Sequence, residues 1–362
     1  MAGDSASYRY RKDVERLEKK IFNKYSKHIV RGGRKMSRRI IIWIFLVSFV
    51  LWFFGVEKTF SQETFPSKPI TLLSPWPPGG VSDTVARLTT TRASQSLGQQ
   101  VVVVNKPGAG GTLAIDFLAG SKPDGYTVLS GGLGALAYSL YTHGVSWGPK
   151  DFSLILGYYI YNYSVVIRSD APWKNFNEWV QYVKQNPGFK YGTYGNMTTH
   201  HVIMEWIAKR LDLKLVPVHF AGDTPGITSL LGGHIDAQCI AGGQISLFKA
   251  GKIRTLLQMF GEPVDIDPKI VTRFKDVLPD APLEVLGIPA GVFGPKGIPD
   301  SIQARLHEAF KKGSVENPEF VQMLQSMNLT PEYHDPKELQ KVLTKAYEDF
   351  GKLIKSLGLE RK

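Results

Sequence analysis

The chain has 362 residues, enough for two domains that each bury a hydrophobic core. Its formal net charge of +12 would suit nucleic acid or an anionic membrane surface, but the charge is unevenly placed. Residues 1–39 hold 13 Lys/Arg and 4 Asp/Glu, whereas the other residues hold 31 and 28, so the body argues against a nucleic-acid-binding protein.

An apolar run of 17 residues without a charge occupies positions 40–56. Basic residues precede the run and a polar stretch follows it, which is the layout of a secretory signal. Residues 1–65 are therefore predicted to be a basic n-region, an apolar signal and a linker, with translation starting at Met1 or at Met36. The alternative is an uncleaved anchor, in which residues 40–56 tether the protein to the membrane.

Strand and helix patterns alternate from Ser67 onward. Short apolar runs predict strands at 70–73, 101–104, 126–129, 215–219 and 235–240. Apolar residues at helical spacing, often followed by glycine or proline, predict helices at 82–97, 112–119, 173–185, 201–211, 224–231, 301–312, 316–327 and 336–357. This order of strand, loop and helix predicts an α/β fold with a mostly parallel sheet.

Two extended segments, 164–169 and 285–295, are predicted to cross between two lobes. The first lobe would then contain residues 66–165 and 290–362. Residues 166–289, inserted between these two parts, would form the second lobe.

The strongest local signal is the loop at 74–83 (SPWPPGGVSD), which joins a predicted strand to a helix. Its successive glycines let backbone N–H groups approach a ligand closely. The helix start adds unpaired donors and the positive end of the helix dipole, which together suit an anion. The other interpretation is a rigid turn capped by Ser82 or Asp83. Asp83 suits a cap better, because its charge would repel a carboxylate.

Two further loops also precede helices. Residues 105–111 (NKPGAGG) repeat the layout, but Leu113 stands where a dinucleotide-binding motif has its third glycine. Residues 192–201 (GTYGNMTTHH) offer hydroxyl and amide groups that can donate hydrogen bonds to carboxylate oxygens. Alternatively, Thr198 or Thr199 is an ordinary helix cap.

Signals for catalysis and for metal binding are weak. Residues 144–148 fit the pattern G-x-S-x-G around Ser146, but that motif needs a helix directly after the serine and Pro149 predicts a loop. Adjacent His200 and His201 do not share a helix face. Cys239, the single cysteine, excludes an internal disulfide bond, and its apolar neighbours predict a buried, unreactive thiol. We therefore predict no catalytic residue, no metal and no cofactor.

Five motifs follow one another along the chain: 76–87 (WPPGGVSDTVAR), 97–111 (LGQQVVVVNKPGAGG), 123–129 (PDGYTVL), 230–237 (LLGGHIDA) and 250–256 (AGKIRTL). Together they resemble the Bug-type (TctC-like) solute-binding receptors of tripartite tricarboxylate transporters. The resemblance implies a two-lobed periplasmic-binding-protein (Venus flytrap) fold in which each lobe is a mixed sheet flanked by helices. It also implies a monomer that is exported to the periplasm and captures a small organic acid for the transporter's membrane subunits.

The family's ligand loops carry over onto positions in both lobes. On one side these are Trp76, Pro78, Gly79, Gly80, Ser82 and Asp83; on the other they are Thr193, Asn196, Thr198 and Thr199, and Asp236 is expected to border the cleft. Residues 220–223 (FAGD) stand where a Tyr-Lys-Gly type stretch is common, which removes a cation. A mono-acid, an amide or an aromatic acid therefore fits as well as a tricarboxylate.

Two other functions stay open at this stage. A membrane-tethered sensor would keep residues 40–56 and present its bound organic acid to a signalling partner. An α/β hydrolase using Ser146 is the least favoured alternative.

Overall fold

The computed structural model describes residues 65–263 and 271–361, together with Arg16, Lys19 and Lys20. The predicted signal or anchor at 40–56 lies outside these residues. Among the residues that are described, no helix combines the length and the apolar character that a membrane span requires.

The strands are β1 (Ile70–Ser74), β2 (Val101–Asn105), β3 (Thr127–Gly132), β4 (Phe152–Tyr161), β5 (Tyr163–Arg168), β6 (Phe189–Thr193), β7 (Leu215–His219), β8 (Ala237–Ala241), β9 (Ile253–Gln258), β10 (Pro289–Pro295) and β11 (Leu329–His334). They form a six-stranded sheet in the order β11-β4-β10-β3-β1-β2 and a five-stranded sheet in the order β7-β6-β8-β5-β9. Both sheets are mixed, because β10 and β5 run antiparallel to their neighbours. The expected α/β fold with mixed sheets is confirmed, whereas the expectation of mostly parallel pairing is wrong.

The helices are α1 (Val81–Leu97), α2 (Thr112–Ala119), α3 (Gly134–Thr142), α4 (Phe176–Gln185), α5 (Thr199–Leu211), α6 (Asp223–Leu231), α7 (Ile245–Lys249), α8 (Phe274–Val277), α9 (Asp300–Gly313), α10 (Pro318–Ser326) and α11 (Pro336–Leu357). Caps explain two boundaries that the sequence placed too early. The side chain of Asn175 accepts a hydrogen bond from the Glu178 N–H at 2.9 Å, so α4 begins at Phe176 rather than at 173. Asn317 caps α10 in the same way, so that helix begins at Pro318 rather than at 316.

The chain passes directly from the first sheet to the second at Asn162, which separates β4 from β5. Asn162 is fixed by two side-chain hydrogen bonds, one from Thr330 Oγ1 at 2.9 Å and one to Asn328 Oδ1 at 3.2 Å. The strands of the first sheet come from 70–161 and 289–334, and those of the second come from 163–258. The lobe boundaries at 165 and 290 stay a prediction, because sheet membership alone does not delimit a folding unit.

The cores consist of aliphatic and aromatic side chains between sheet and helices. In the first sheet β4 is an interior strand and almost wholly buried, and its Tyr158 and Tyr159 rings stack with centroids 5.4 Å apart. In the second sheet Cys239 is fully buried on β8, which confirms the predicted buried thiol. Burial raises the pKa of this thiol, which keeps it protonated and unreactive.

Candidate functional site

A cavity of about 200 Å³ lies between loops that follow strands of both sheets. The first-sheet side contributes the loop at 75–82, glycines 110 and 111, and the start of α3. The second-sheet side contributes residues 198–200 and 222–225. Strand-end loops are the usual place for ligands in α/β sheets, and this cavity is our candidate binding site.

Four helices begin at the wall of this cavity. Residues of their first turns line it: Val81 and Ser82 of α1, Gly134 and Ala135 of α3, Thr199 and His200 of α5, and Asp223 and Thr224 of α6. The N-terminal N–H groups of a helix have no intrahelical partner and carry the positive end of the helix dipole. The positive ends of four helix dipoles therefore lie at the wall of this cavity.

These four helix ends also lack side-chain caps. In the part of the chain that the structure describes, the N-cap residues Gly80, Leu133, Thr198 and Gly222 supply no capping side-chain hydrogen bond. Among the helices that begin away from the cavity, α4, α10 and α11 are capped by Asn175, Asn317 and Asp335, whereas α8 and α9 have no side-chain cap either. The backbone donors at the cavity are thus left for solvent or a ligand.

Asp83 holds the first loop in place from outside the cavity wall. Its carboxylate accepts hydrogen bonds from Gly79 N at 2.9 Å, Asn105 Nδ2 at 2.7 Å and Arg87 Nε at 3.1 Å. Burial raises the pKa of Asp83, but the bonds from Arg87, Gly79 and Asn105 outweigh this effect, so its pKa lies below the ordinary 3.8. Asp83 therefore stays ionised and fixes the loop that carries Trp76.

Aromatic rings form much of the remaining wall. Trp76 meets Tyr194 edge to face with ring centroids 6.1 Å apart, which joins the loops of the two sheets. The Tyr161 hydroxyl is 2.9 Å from Ser82 Oγ, and the Tyr194 hydroxyl accepts a hydrogen bond from Ala241 N at 2.9 Å. These bonds fix two of the phenol rings that line the cavity.

His200 adds a neutral imidazole to the wall. Its ring centroid lies 4.2 Å from the ring centroid of Tyr194 and 5.0 Å from that of Tyr163. Burial lowers the pKa of His200 to about 3, so the ring carries no charge near neutral pH. Its Nε2 atom is buried and has no hydrogen-bond partner among the described residues.

Asp223 is the one acidic side chain that the described residues place in the cavity wall. It is the first residue of α6 and is 8% exposed. Burial raises its pKa to about 8, and its Oδ1 atom has no hydrogen-bond partner within the described part of the chain. No lysine or arginine of the described ranges lines the cavity, so its positive potential comes from helix N-termini alone.

The structure brings six of the predicted site residues together at the cavity: Trp76, Pro78, Gly80, Ser82, Thr198 and Thr199. Gly79 lines an adjacent cavity of about 280 Å³, which also touches Asp223. Four other predicted residues, Asp83, Thr193, Asn196 and Asp236, lie outside the wall formed by the described residues.

Local hydrogen bonds explain two of these placements. Thr193 is fully buried, and its hydroxyl donates to Gly195 O at 3.0 Å, so it shapes the loop from beneath. Asp236 is exposed and accepts a hydrogen bond from Lys190 N at 2.8 Å. It therefore joins the starts of two strands and lies outside the described cavity wall.

Sequence patterns missed several wall residues: Tyr138, Tyr161, Tyr163, Tyr194, His200 and Asp223. Tyr161 and Tyr163 lie on β4 and β5, which look like ordinary core strands in sequence. For Asp223 one sequence signal was available: residues 220–223 stand where the family commonly has a stretch that contains a lysine.

The two weaker motifs behave as loop and helix residues. Ser146 is exposed in a loop and is followed by a single helical turn at Pro149–Asp151, which does not fit the strand-to-helix turn of a hydrolase nucleophile. His201 Nε2 lies 3.5 Å from Glu205 within one helix. The described residues contain no group of three or more His, Cys, Asp or Glu side chains arranged to hold a metal ion.

Comparison with known proteins gives consistent relationships. A family described as "Tripartite tricarboxylate transporter family receptor" matches residues 85–359. The UPF0065 protein in the gbd 5′ region of Cupriavidus necator is 33% identical over 308 residues, which is 83% of this chain and 90% of the relative.

Solved structures show the same fold. The periplasmic binding protein BugD is 25% identical with a TM-score of 0.74, covering 82% of this chain and 100% of BugD. MatC from Rhodopseudomonas palustris, solved with bound malate, is 24% identical with a TM-score of 0.70, covering 80% of this chain and 100% of MatC. The described body therefore has the fold of a periplasmic binding protein.

Proposed function

Because this chain belongs to the receptor family of tripartite tricarboxylate transporters, we propose that it captures a small organic carboxylate in the cavity and delivers it to membrane subunits of such a transporter. Export to the periplasm, a monomeric state and the absence of catalysis are parts of the same proposal. The resemblance of the loops at 74–83 and 192–201 to the family's ligand loops supports it.

One observation carries the proposal: four helices without side-chain caps begin at one cavity whose described wall contains no lysine or arginine. Backbone amides at helix N-termini bind carboxylates without a cationic side chain. Aromatic rings around them exclude water and strengthen those hydrogen bonds. MatC holds malate within the same fold, and we infer that a small carboxylate occupies this cavity in the present chain.

The test is thermal unfolding with a panel of acids, after unfolding and refolding the protein to remove any co-purified ligand. Malate, succinate, adipate, benzoate and pentanoate cover the charges and shapes that the cavity allows. A ligand that binds only the folded state at about 100 times its Kd adds about 2.7 kcal/mol to the free energy of unfolding. Absence of a shift with every acid would contradict carboxylate capture.

A matched pair of variants shows where the acid binds. Ala135 lines the cavity on the first turn of α3, and Ala135→Leu would fill part of the space without removing a polar group. We expect this variant to keep its fold and lose the ligand-induced shift. Ala304→Leu makes the same change on the exposed side of α9 and should keep the shift. An equal shift in both variants would place the ligand elsewhere.

A further inference from the structure

Asp223 is a buried acid that the carboxylate-binding proposal does not use. It lies in the wall between the main cavity and the adjacent one, and its Oδ1 atom has no hydrogen-bond partner among the described residues. Buried polar atoms nearly always have partners, and a buried unpaired charge strongly destabilises a fold. Asp223 thus lines both cavities while one of its carboxyl oxygens is buried without a partner, and a cationic group of a ligand beside Asp223 would supply one.

A role as a helix cap does not account for this side chain. Gly222 is the N-cap of α6 and Asp223 is the first helical residue, where an acid gains from the helix dipole without needing burial. Asp300 occupies the same position in α9 and is exposed. The burial of Asp223 therefore needs a reason that comes from the cavity.

The surrounding wall suits a cation. Rings of Trp76, Tyr138, Tyr161, Tyr163 and Tyr194 line the cavity, and aromatic faces attract ammonium groups. The neutral imidazole of His200 does not repel a cation. A dicarboxylate would instead place its second acid beside Asp223 without a cation to pair with, because the described wall holds no lysine or arginine.

We propose that the ligand is a zwitterion, whose carboxylate binds the helix N-termini and whose ammonium group pairs with Asp223. This inference rests on the proposed carboxylate capture and adds a selection rule to it. Asp223 then distinguishes ligands that carry an ammonium group from plain mono- and dicarboxylates of the same shape. The carboxylate of a zwitterion matches the positive helix N-termini, and its ammonium group matches the carboxyl of Asp223.

The selection is measured with matched ligand pairs that differ in the ammonium group: 5-aminopentanoate and hexanoate, L-glutamate and glutarate, and glycine betaine and 3,3-dimethylbutanoate. For at least one pair, we expect the refolded wild-type protein to bind the ammonium member about tenfold tighter or more, as measured by calorimetry. Asp223→Asn should reduce that ratio to about one, and Asp223→Ser serves if the first variant does not fold. Asp300→Asn, the matched helix-start control, should keep the wild-type ratio.

The number of protons released on ligand binding is a second measurement, which a purely structural role of Asp223 would not affect. Burial raises the pKa of the empty site's Asp223 to about 8. An ammonium partner favours the charged carboxylate, so binding near pH 7 should release about 0.9 proton per ligand. Calorimetry in two buffers of different ionisation enthalpy measures this number, and Asp223→Asn should abolish the release.

The possible outcomes separate this inference from the proposal beneath it. If the plain acids bind as tightly as their ammonium partners, or bind with proton uptake, carboxylate capture stands and the zwitterion selection is wrong. A preference that survives in Asp223→Asn also overturns the selection. If neither member of any pair and no acid of the wider panel binds, both proposals fail.

Discussion

The free energy of unfolding of the ligand-free protein should fall as the pH rises from 6.5 to 8, because Asp223 loses its proton. Burial raises the folded-state pKa of this carboxyl from 3.8 to about 8. A group with a raised folded-state pKa stabilises the fold fully below its unfolded pKa, and the stabilisation is lost as the pH rises through the folded value. The loss therefore extends from about pH 4 to about pH 8.

His200 acts in the opposite direction at lower pH. Burial lowers its pKa from 6.5 to about 3, so the folded state gains stability as the pH rises between these values. Above pH 6.5 the remaining contribution of His200 is only about 0.4 kcal/mol, and comparison of the wild-type protein with Asp223→Asn cancels it. For a folded pKa of about 8, the expected loss between pH 6.5 and pH 8 is roughly 1.5 kcal/mol. The dipole of α6 favours the ionised form and would reduce this value.

The assay is urea unfolding of wild-type, Asp223→Asn and Asp300→Asn proteins at both ends of that pH window, without ligand. We expect wild-type and Asp300→Asn proteins to lose about the same stability. Asp223→Asn should lose about 1.5 kcal/mol less, since its amide does not titrate. An equal pH dependence in wild-type and Asp223→Asn would refute the assignment of a buried, titrating carboxyl at the cavity.

Three further outcomes follow from local contacts. Asp83→Ala leaves the three groups that donate to this carboxylate without an acceptor, so the free energy of unfolding should fall by about 2–4 kcal/mol in urea titrations. Because the first loop is then no longer fixed, calorimetry should also show weaker binding of the acid. Tyr161→Phe removes one partner of the Ser82 hydroxyl and should cost about 1 kcal/mol in the same titrations; an unchanged free energy of unfolding would contradict this. Gly313→Ala would place a Cβ 2.4 Å from Thr89 O between α9 and α1 and should cost about 1–3 kcal/mol, while Gly120→Ala, with 3.8 Å of room, should change stability little in thermal scans.

Local sequence signals identified the elements that end at the cavity because those signals are themselves local. Glycine and proline at 75–80 ended a strand and started a helix, and the structure has β1 ending at Ser74 and α1 beginning at Val81. Six of the proposed contact positions reach the wall for the same reason. Asp83 and Asp236 lie outside the described wall, and the sequence did not settle their place because a loop carboxylate can serve the ligand or the loop.

The antiparallel strands could not be predicted from the chain pattern. β4, the longest described strand, is an almost continuous apolar and aromatic run inside the sheet, so it shows no alternation of polar and apolar residues. β10 returns from the second sheet and inserts between β3 and β4, a pairing between residues more than a hundred positions apart. Such long-range pairing leaves no signal in a short window of sequence.

The charge of the cavity has two sources that differ in how easily evolution or mutagenesis can change them. The positive potential comes from the backbone of four helices, so no single side-chain substitution removes it. The one acidic side chain of the described wall, Asp223, supplies negative charge only when it ionises, and a single substitution abolishes that contribution. A change at this position should therefore alter which carboxylates are accepted while leaving carboxylate binding itself intact. Comparison of Asp223→Asn with Ala135→Leu separates the two effects, because the first should broaden the ligand range and the second should prevent binding.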